Sequence, residues 1–565
     1  MILPSAERAD VALLLEGTYP YVAGGVSSWV HQIIRGFPEL RFACIFVGSR
    51  REDYSGFKYE LPSNVVHAEA HYLYDSSDAP EVHPVPGDAA MFEKIDRLHD
   101  YFRVPRSHPE GPGLLGEVGA ELNHKLELDQ FLYGDLAWQT ICERYRKFCT
   151  DPSFVDYFWT VRTMHAPVWK LARIAEQMIP VRAFHSVSTG YAGFLGALAK
   201  RRHGKPLVLS EHGIYTKERK IDLFSAKWIS DNRSMFQRDP TEVSYFRQMW
   251  IRFFEALGKS CYDAADSIVA LYESNRQRQI ADGADAGRTQ NIPNGIDVAR
   301  YAPLRRDPAA APPPVLCLIG RVVPIKDIKT FIRAMRTVAN RVPGAQGWIA
   351  GPEDEDPGYA VECRRLADNL GLSEQVKFLG FQKLTELLPK IGLVVLSSIS
   401  EGLPLVILEG YAAGVPALST DVGSCRQLIY GLDEDDRALG ASGRVVGIAD
   451  PQALAVAAME LLTDAQVWRA AAQAAIRRVE RYYSQEMMFA RYREIYATAL
   501  ASDDWAGPSP QPSPPHAGES QVRPSPQPSS PHAGESQVRP SPQPSPPHAG
   551  EREARSAGEG ASDIG

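Results

Sequence analysis

One order of segments, met twice along the chain, constrains the fold most: apolar run, polar loop, amphipathic helix, apolar run. Val11 to Leu15 is a short continuous apolar stretch, which reads as a buried strand. A loop from Glu16 to Gly25 follows, carrying Pro20, Gly24 and Gly25. Val26, Trp29, Val30, Ile33 and Ile34 then recur at helical spacing, and Phe42 to Val47 is the next apolar run. Such an order predicts parallel strands with helices on the sheet faces. It returns at Ala183 to His185, in a helix near Tyr191 to Lys200, and in strands at Pro206 to Ser210 and Ser267 to Leu271. Residues from about 75 to 165 are rich in Tyr, Phe, His and Asp, and read as an insertion with helices.

The second series starts with a strand at Val315 to Ile319 and a helical stripe of Ile328, Phe331, Ile332, Met335, Val338 and Val342. Strands follow at Gly347 to Ala350, Val376 to Leu379, Leu393 to Leu396 and Ala417 to Ser419. A proline cluster between Pro303 and Val315 breaks regular structure. The domain boundary is therefore placed there, giving α/β domains at 1–305 and 314–484. A chain of 565 residues exceeds what one core supports. From Pro508 a 16-residue unit of Pro, Ser, Gln, His, Ala, Gly and Glu repeats with almost nothing large and apolar. Such a segment cannot offset its ordering entropy, so 506–565 is expected to be disordered.

The net charge of -8 argues against sequence-independent nucleic-acid binding. The seven cysteines are widely spaced and form no C-x-x-C pair, which speaks against a disulfide framework or a zinc site. The run Val11 to Leu15, behind Glu7, Arg8 and Asp10, is short for a signal peptide, and no apolar run reaches the length of a membrane span. A cytoplasmic protein is expected.

The stretch Gly320 to Asp327 lies between a strand and a helix. Loops there sit at the carboxyl edge of a parallel sheet, where ligands bind. Arg321 and Lys326 would add two cations beside a helix N-terminus, an arrangement suited to a diphosphate; two solvated surface cations are the plainer alternative. Glu401 and Glu409 stand eight residues apart. Pro404 suits a first helical turn, which makes Glu401 a loop residue and Glu409 a helical one. Gly402 permits close backbone approach, and Leu403 and its apolar neighbours weaken a reading of both glutamates as surface charge. Gly24 and Gly25 would let a phosphate approach the first loop, although a simple turn also accounts for them. His185 and His212 stand at strand ends, placed to contact a substrate or to serve the core. Asp354 to Asp356 and Asp433 to Asp436 read as solvated loops, not as metal ligands.

Together these motifs resemble the retaining glycosyltransferases of family four, across nearly all of residues 10 to 500. Ser210-Glu-His-Gly213 and Ile292-Pro-Asn-Gly-Ile-Asp297 are similar to that family as well. Leu15 to Val30 and Glu211 to Arg219 resemble a narrower group, the glycosyltransferases of Pel-type biofilm exopolysaccharide systems. The resemblance implies a GT-B fold, in which two Rossmann-like domains face each other across a cleft. It implies a UDP-sugar donor (UDP-glucose or a UDP-N-acetylhexosamine), a saccharide acceptor, no metal or other cofactor, and inner-membrane synthesis or export proteins as partners. It implies that Gly320, Arg321 and Lys326 hold the diphosphate, Glu409 the ribose, and Glu401 with Gly402 and Leu403 the sugar. Gly380 and Phe381 should meet the base, Gly24 and Gly25 should lie under the phosphates, and His185 or His212 should contact the transferred sugar. A last helix, within 485–502, should cross back to the first domain. The rival readings are a nucleotide-sugar epimerase, a phosphorylase on a similar fold, and a non-catalytic nucleotide-sugar scaffold.

Overall fold

The computed structural model describes residues 3–75, 87–104, 108, 110–236, 238, 242–307 and 310–501. The repeat segment 506–565 lies outside them. Strand β1 (Ala9–Glu16) carries its side chains alternately to two faces, as the pleat requires. Ala12 and Leu14 enter one buried cluster, and Val11, Leu13 and Leu15 enter the other. Parallel neighbours complete the first sheet: β2 (Phe42–Gly48), β3 (Val65–Tyr72), β4 (Val181–Ser186), β5 (Leu207–Glu211), β6 (Ser267–Ala270) and β7 (Thr289–Asn291). Their order is β3-β2-β1-β4-β5-β6-β7. The second sheet comprises β8 (Val315–Ile319), β9 (Gln346–Ala350), β10 (Val376–Gly380), β11 (Leu393–Leu396), β12 (Ala417–Thr420) and β13 (Gly443–Val446), ordered β10-β9-β8-β11-β12-β13. All of its pairings are parallel as well.

In each sheet the chain winds outward in both directions from a central pair, β1 beside β4 and β8 beside β11. The crevice at the carboxyl ends of such a pair is where doubly wound sheets take ligands. That topology fixes where a site belongs before any side chain is considered.

Three strands escape the apolar-run reading. β3 alternates Val65, His67, Glu69 and His71, and Glu69 accepts from both histidine rings at 2.7 Å; edge strands admit such polar faces. β7 and β13 are too short to register as runs. The insertion is helical as expected, with Ala89–Arg103, Gly111–Glu121, Leu128–Tyr133, Asp135–Phe148 and Phe154–Gln177. These helices pack on Tyr191–His203 and Tyr245–Ala264 in one large apolar cluster.

The domain boundary is corrected. Tyr301 is already in the core of the second domain, beside Ile407, Leu408 and Tyr411, so the chain has crossed before the proline cluster. The crossing lies at Ile296, whose N–H bonds Tyr483 and whose carbonyl accepts from Gln485. Outgoing and returning chains thus run side by side. The helix Gln485–Ala499 then packs Met488, Tyr492, Ile495 and Tyr496 against Leu13, Trp29, Ile33 and Phe37 of the first domain. Among the described residues no helix is long and apolar enough to cross a membrane.

Candidate active site

The carboxyl ends of β8 and β11 bring two sequence motifs together. After β8 the loop passes Gly320 and Arg321 into a short turn at Pro324–Lys326. Asp327, at φ 42°, caps the helix Ile328–Arg341 by accepting from the Thr330 N–H. After β11 the loop Ser397 to Pro404 leads into the helix Leu405–Ala412. The loops are laced together: the Ile399 N–H bonds the Ile325 carbonyl at 2.8 Å, and the Ser397 hydroxyl bonds the Lys326 carbonyl at 2.9 Å. Gly423, at φ 54°, backs the second loop so closely that a Cβ there would lie 2.3 Å from the Glu401 carbonyl oxygen.

Between these loops the Lys326 ammonium meets the Glu401 carboxylate at 2.6 Å. The same carboxylate oxygen accepts from the Ser398 hydroxyl at 2.5 Å. Both charged side chains are largely enclosed, at 21% and 11% exposure, so Lys326 is not the freely solvated cation of the plainer sequence reading. Arg321 points elsewhere: it is 52% exposed and pairs with Glu355 in the loop after β9. The two cations therefore share the sheet edge without converging. Glu409, one turn into its helix, accepts from the Tyr301 hydroxyl at 3.1 Å, and burial holds its carboxyl above the usual carboxylate range. Leu403 is a core residue of the second domain, which leaves only its backbone for a ligand. Gly380, at φ 63°, ends β10, and the Phe381 ring beside it is 79% exposed.

On the facing domain, Gly24 and Gly25 start the helix Gly25–Gly36 without a side-chain cap, and a Cβ at either would meet nothing. No side chain caps its first N–H groups, and such a helix end suits an anion. The domains meet where a Cβ on Gly402 would stand 3.7 Å from the His212 carbonyl oxygen.

The two histidines separate. His185 is corrected from a sugar contact to a core residue. It lies fully buried within β4, with Nδ1 2.7 Å from the Tyr496 hydroxyl and Nε2 2.8 Å from the Ser210 hydroxyl. The returning helix covers it and both ring nitrogens are used. His212 packs edge-on against Trp29 with ring centroids 4.5 Å apart, and its buried Nε2 has no hydrogen-bond partner among the described residues. Burial pushes its pKa down to about 3, so the ring is neutral near pH 7.

Several polar groups escape sequence reasoning. Glu16, at the end of β1, accepts from the Tyr215 hydroxyl at 2.8 Å and the Ala192 N–H at 3.2 Å. The Arg219 guanidinium donates to that tyrosine at 3.1 Å. Buried Glu211 is held by Thr189, Tyr215, Tyr262 and Gln279. Glu218 turns its carboxyl over the Gly213 backbone, where burial and the Glu211 charge raise its pKa to about 7. The available signal was position, since Glu16 closes the first apolar run and Glu211 and Glu218 flank His212 in one segment. Among the described residues no group of three or more His, Cys, Asp or Glu side chains is arranged to hold a metal ion.

Comparison with known proteins adds to this geometry. Residues 313–464 match the family model described as glycosyl transferases group 1, and residues 9–287 match a domain of unknown function, DUF3492. The chain is 34% identical over 175 residues to a D-inositol 3-phosphate glycosyltransferase of Nocardia farcinica, covering 28% of this chain and 38% of that protein. It is 25% identical over 285 residues to D-inositol 3-phosphate glycosyltransferase 2 of Catenulispora acidiphila, covering 48% and 60%. The chain thus spans roughly half the length of these curated relatives. Among solved structures, Anabaena HepE in complex with UDP and glucose superposes with TM-score 0.52 at 16% identity, over 87% of this chain and 100% of that one. Sucrose-phosphate synthase from Thermosynechococcus elongatus gives 0.51 at 16% identity, over 87% and 100%. The fold is the two-domain GT-B arrangement. The similarity to group 1 glycosyl transferases lies in the domain that carries Lys326, Glu401 and Glu409.

Proposed function

We propose that this chain is a retaining glycosyltransferase that moves a sugar from a uridine diphosphate donor onto a growing saccharide, without a metal ion. The observation that carries this reading is the enclosed Lys326–Glu401 pair at the carboxyl ends of β8 and β11, within the glycosyl transferases group 1 region. In this reading the pair is a resting arrangement. A donor diphosphate seated on the β8 loop draws the Lys326 ammonium away, and Glu401 is released to accept from a sugar hydroxyl. Arg321 leaves Glu355 for the same diphosphate, and Glu409 holds the ribose. Lys326, Arg321 and the open end of the helix Gly25–Gly36 stabilise the charge that builds on the leaving group, the task a bound cation performs in other transferases. The acceptor hydroxyl attacks on the face the diphosphate leaves, and a phosphate oxygen takes its proton. His212, neutral and with Nε2 free, is the sugar contact from the first domain.

The uridine assignment is supported by HepE, solved with UDP and glucose; UDP-glucose and a UDP-N-acetylhexosamine are the donors proposed. The acceptor assignment, a Pel-type exopolysaccharide, and inner-membrane partner proteins rest on the segments Leu15 to Val30 and Glu211 to Arg219. The test is release of UDP from UDP-glucose and UDP-N-acetylhexosamines, with an oligosaccharide acceptor, in EDTA and in magnesium. Transfer unaffected by EDTA, with retained anomeric configuration, is expected. Inversion at the anomeric carbon, or collapse in EDTA, would overturn the mechanism. An epimerised nucleotide sugar with no transfer would overturn the activity.

A further inference from the structure

The carboxylates around the strand ends of the first domain differ in how far they are engaged. Glu16 accepts from Tyr215 and Ala192. Glu211 accepts from Thr189, Tyr215, Tyr262 and Gln279. Glu218 lies in the first turn of the helix Tyr215–Ser225. Among the described residues no hydrogen bond or salt bridge engages its carboxyl. An idle surface carboxylate would stand out in water with an ordinary pKa. Part of Glu218 is open to solvent, yet crowding by protein, with the Glu211 charge behind it, raises the carboxyl to about 7.

Its neighbours place it where the two domains meet. The carboxyl lies over the Gly213 backbone, where a Cβ would collide with it. The residue before Gly213 is His212, whose carbonyl oxygen approaches Gly402 in the loop after β11. Tyr272, a core residue of the second domain, lies within electrostatic reach of the same carboxyl. An anion in this place repels the phosphates of a donor. An ionised carboxyl is an acceptor only, with capacity for more than one hydroxyl donor. Neutral sugar hydroxyls are therefore the partners it suits.

We infer that Glu218 seats the acceptor: its carboxylate accepts from hydroxyls of the receiving sugar on the first-domain side of the cleft. This rests on the proposed function, in which Glu401 and His212 already serve the transferred sugar, and it adds a residue for the second substrate. Gly213 belongs to the same arrangement, because a side chain there would push the carboxyl out of its place.

Initial rates at saturating UDP-sugar, with cellotriose or chitotriose as the varied acceptor, test the assignment beside calorimetric titration of UDP. Glu218→Gln is expected to raise the acceptor KM at least about tenfold, the size of a hydrogen bond to a charged group, with UDP affinity within about twofold of wild type. Gly213→Ala retains the carboxyl but displaces it. The obstacle its Cβ meets is the end of a flexible side chain, so the chain should fold and the acceptor KM should rise as well. In the wild type the acceptor KM should fall as Glu218 ionises between about pH 6 and 8, and Glu218→Gln should lose that dependence. The other groups facing the carboxyl are Glu211 of β5, Tyr272 after β6, and Lys217, Arg219 and Asp222 of its own helix. Both variants keep all of them, so they do not account for such a loss. An acceptor KM unchanged in both variants, a pH dependence that survives in Glu218→Gln, or a loss of UDP affinity equal to the rise in KM would overturn the assignment and leave the proposed function standing. A wild type that transfers to neither oligosaccharide would overturn the proposed function, and this assignment with it.

Discussion

The Lys326 ammonium pairs with Glu401 among the described residues and, in the proposed mechanism, with a diphosphate during the reaction. That dual duty alters what its removal should do. A solvated lysine at a loop end would cost about 0.5 kcal/mol or less on truncation. Removing an ammonium 2.6 Å from an enclosed carboxylate leaves Glu401 with only the Ser398 hydroxyl among the described residues. Lys326→Ala is therefore expected to lower stability by about 1–3 kcal/mol and transfer by about 10- to 150-fold, the value of a hydrogen bond to a charged group. Denaturant melts and initial rates on the same preparations check both. Full activity with unchanged stability would contradict the role. The sequence marked Lys326 and Glu401 through their placement after strands, but not their mutual contact, which depends on how two loops separated by 75 residues in sequence are laced. Glu16, Arg219 and Glu218 stayed hidden for the same reason, since each acquires its setting from a distant element.

At the scale of elements, period and length decided what was legible. Long apolar runs such as β1 and β2 and the amphipathic helix Ile328–Arg341 could be read directly. β3 could not, because its ladder carries His67, Glu69 and His71, and β7 and β13 are shorter than the pattern needs. The insertion was legible as helical. His185 shows the limit for single residues: its position at a strand end suggested a ligand contact, and the returning helix made it core. That burial has a pH consequence. The His185 and His212 pKa values are pushed down to about 3, whereas the unfolded chain protonates histidine near 6.5. Below about pH 6.5 the unfolded state binds protons at these positions that the native state refuses, so the histidine contribution is constant above that pH and falls on acidification. Glu218, raised to about 7, gives one opposing slope between about pH 7 and 4.5. Each such histidine contributes about 1.4 kcal/mol per pH unit. Urea midpoints between pH 7.5 and 5 should decline, and His185→Gln should flatten the decline; an unchanged slope would show that His185 is protonated in the folded protein.

For the whole molecule, the joint between the domains is the feature on which cleft geometry depends. Outgoing and returning chains touch at Gly295, where a Cβ would lie 2.5 Å from the Gln485 Cα and 2.7 Å from the Ser484 carbonyl oxygen. Neither obstacle is a flexible side chain, so Gly295→Ala should separate the two strands. A stability loss of about 1–3 kcal/mol is expected, together with a poorer donor affinity, because the facing groups of the cleft lose their register; a variant indistinguishable from wild type in melting temperature would reject this account of the joint. The two-domain plan was legible from the repeated order of segments, whereas the joint was misplaced at the prolines, because packing of Tyr301 and not composition decides where one domain ends. In the proposed function the crevice at the ends of β8 and β11 holds a uridine diphosphate through Lys326. Calorimetric titration of UDP, GDP and ADP into wild type and Lys326→Ala, in EDTA throughout, tests it most directly. UDP is expected to bind without metal, more tightly than GDP or ADP, and at least about tenfold more weakly to the variant; preference for GDP or ADP, or UDP binding indifferent to Lys326, would overturn the proposed role.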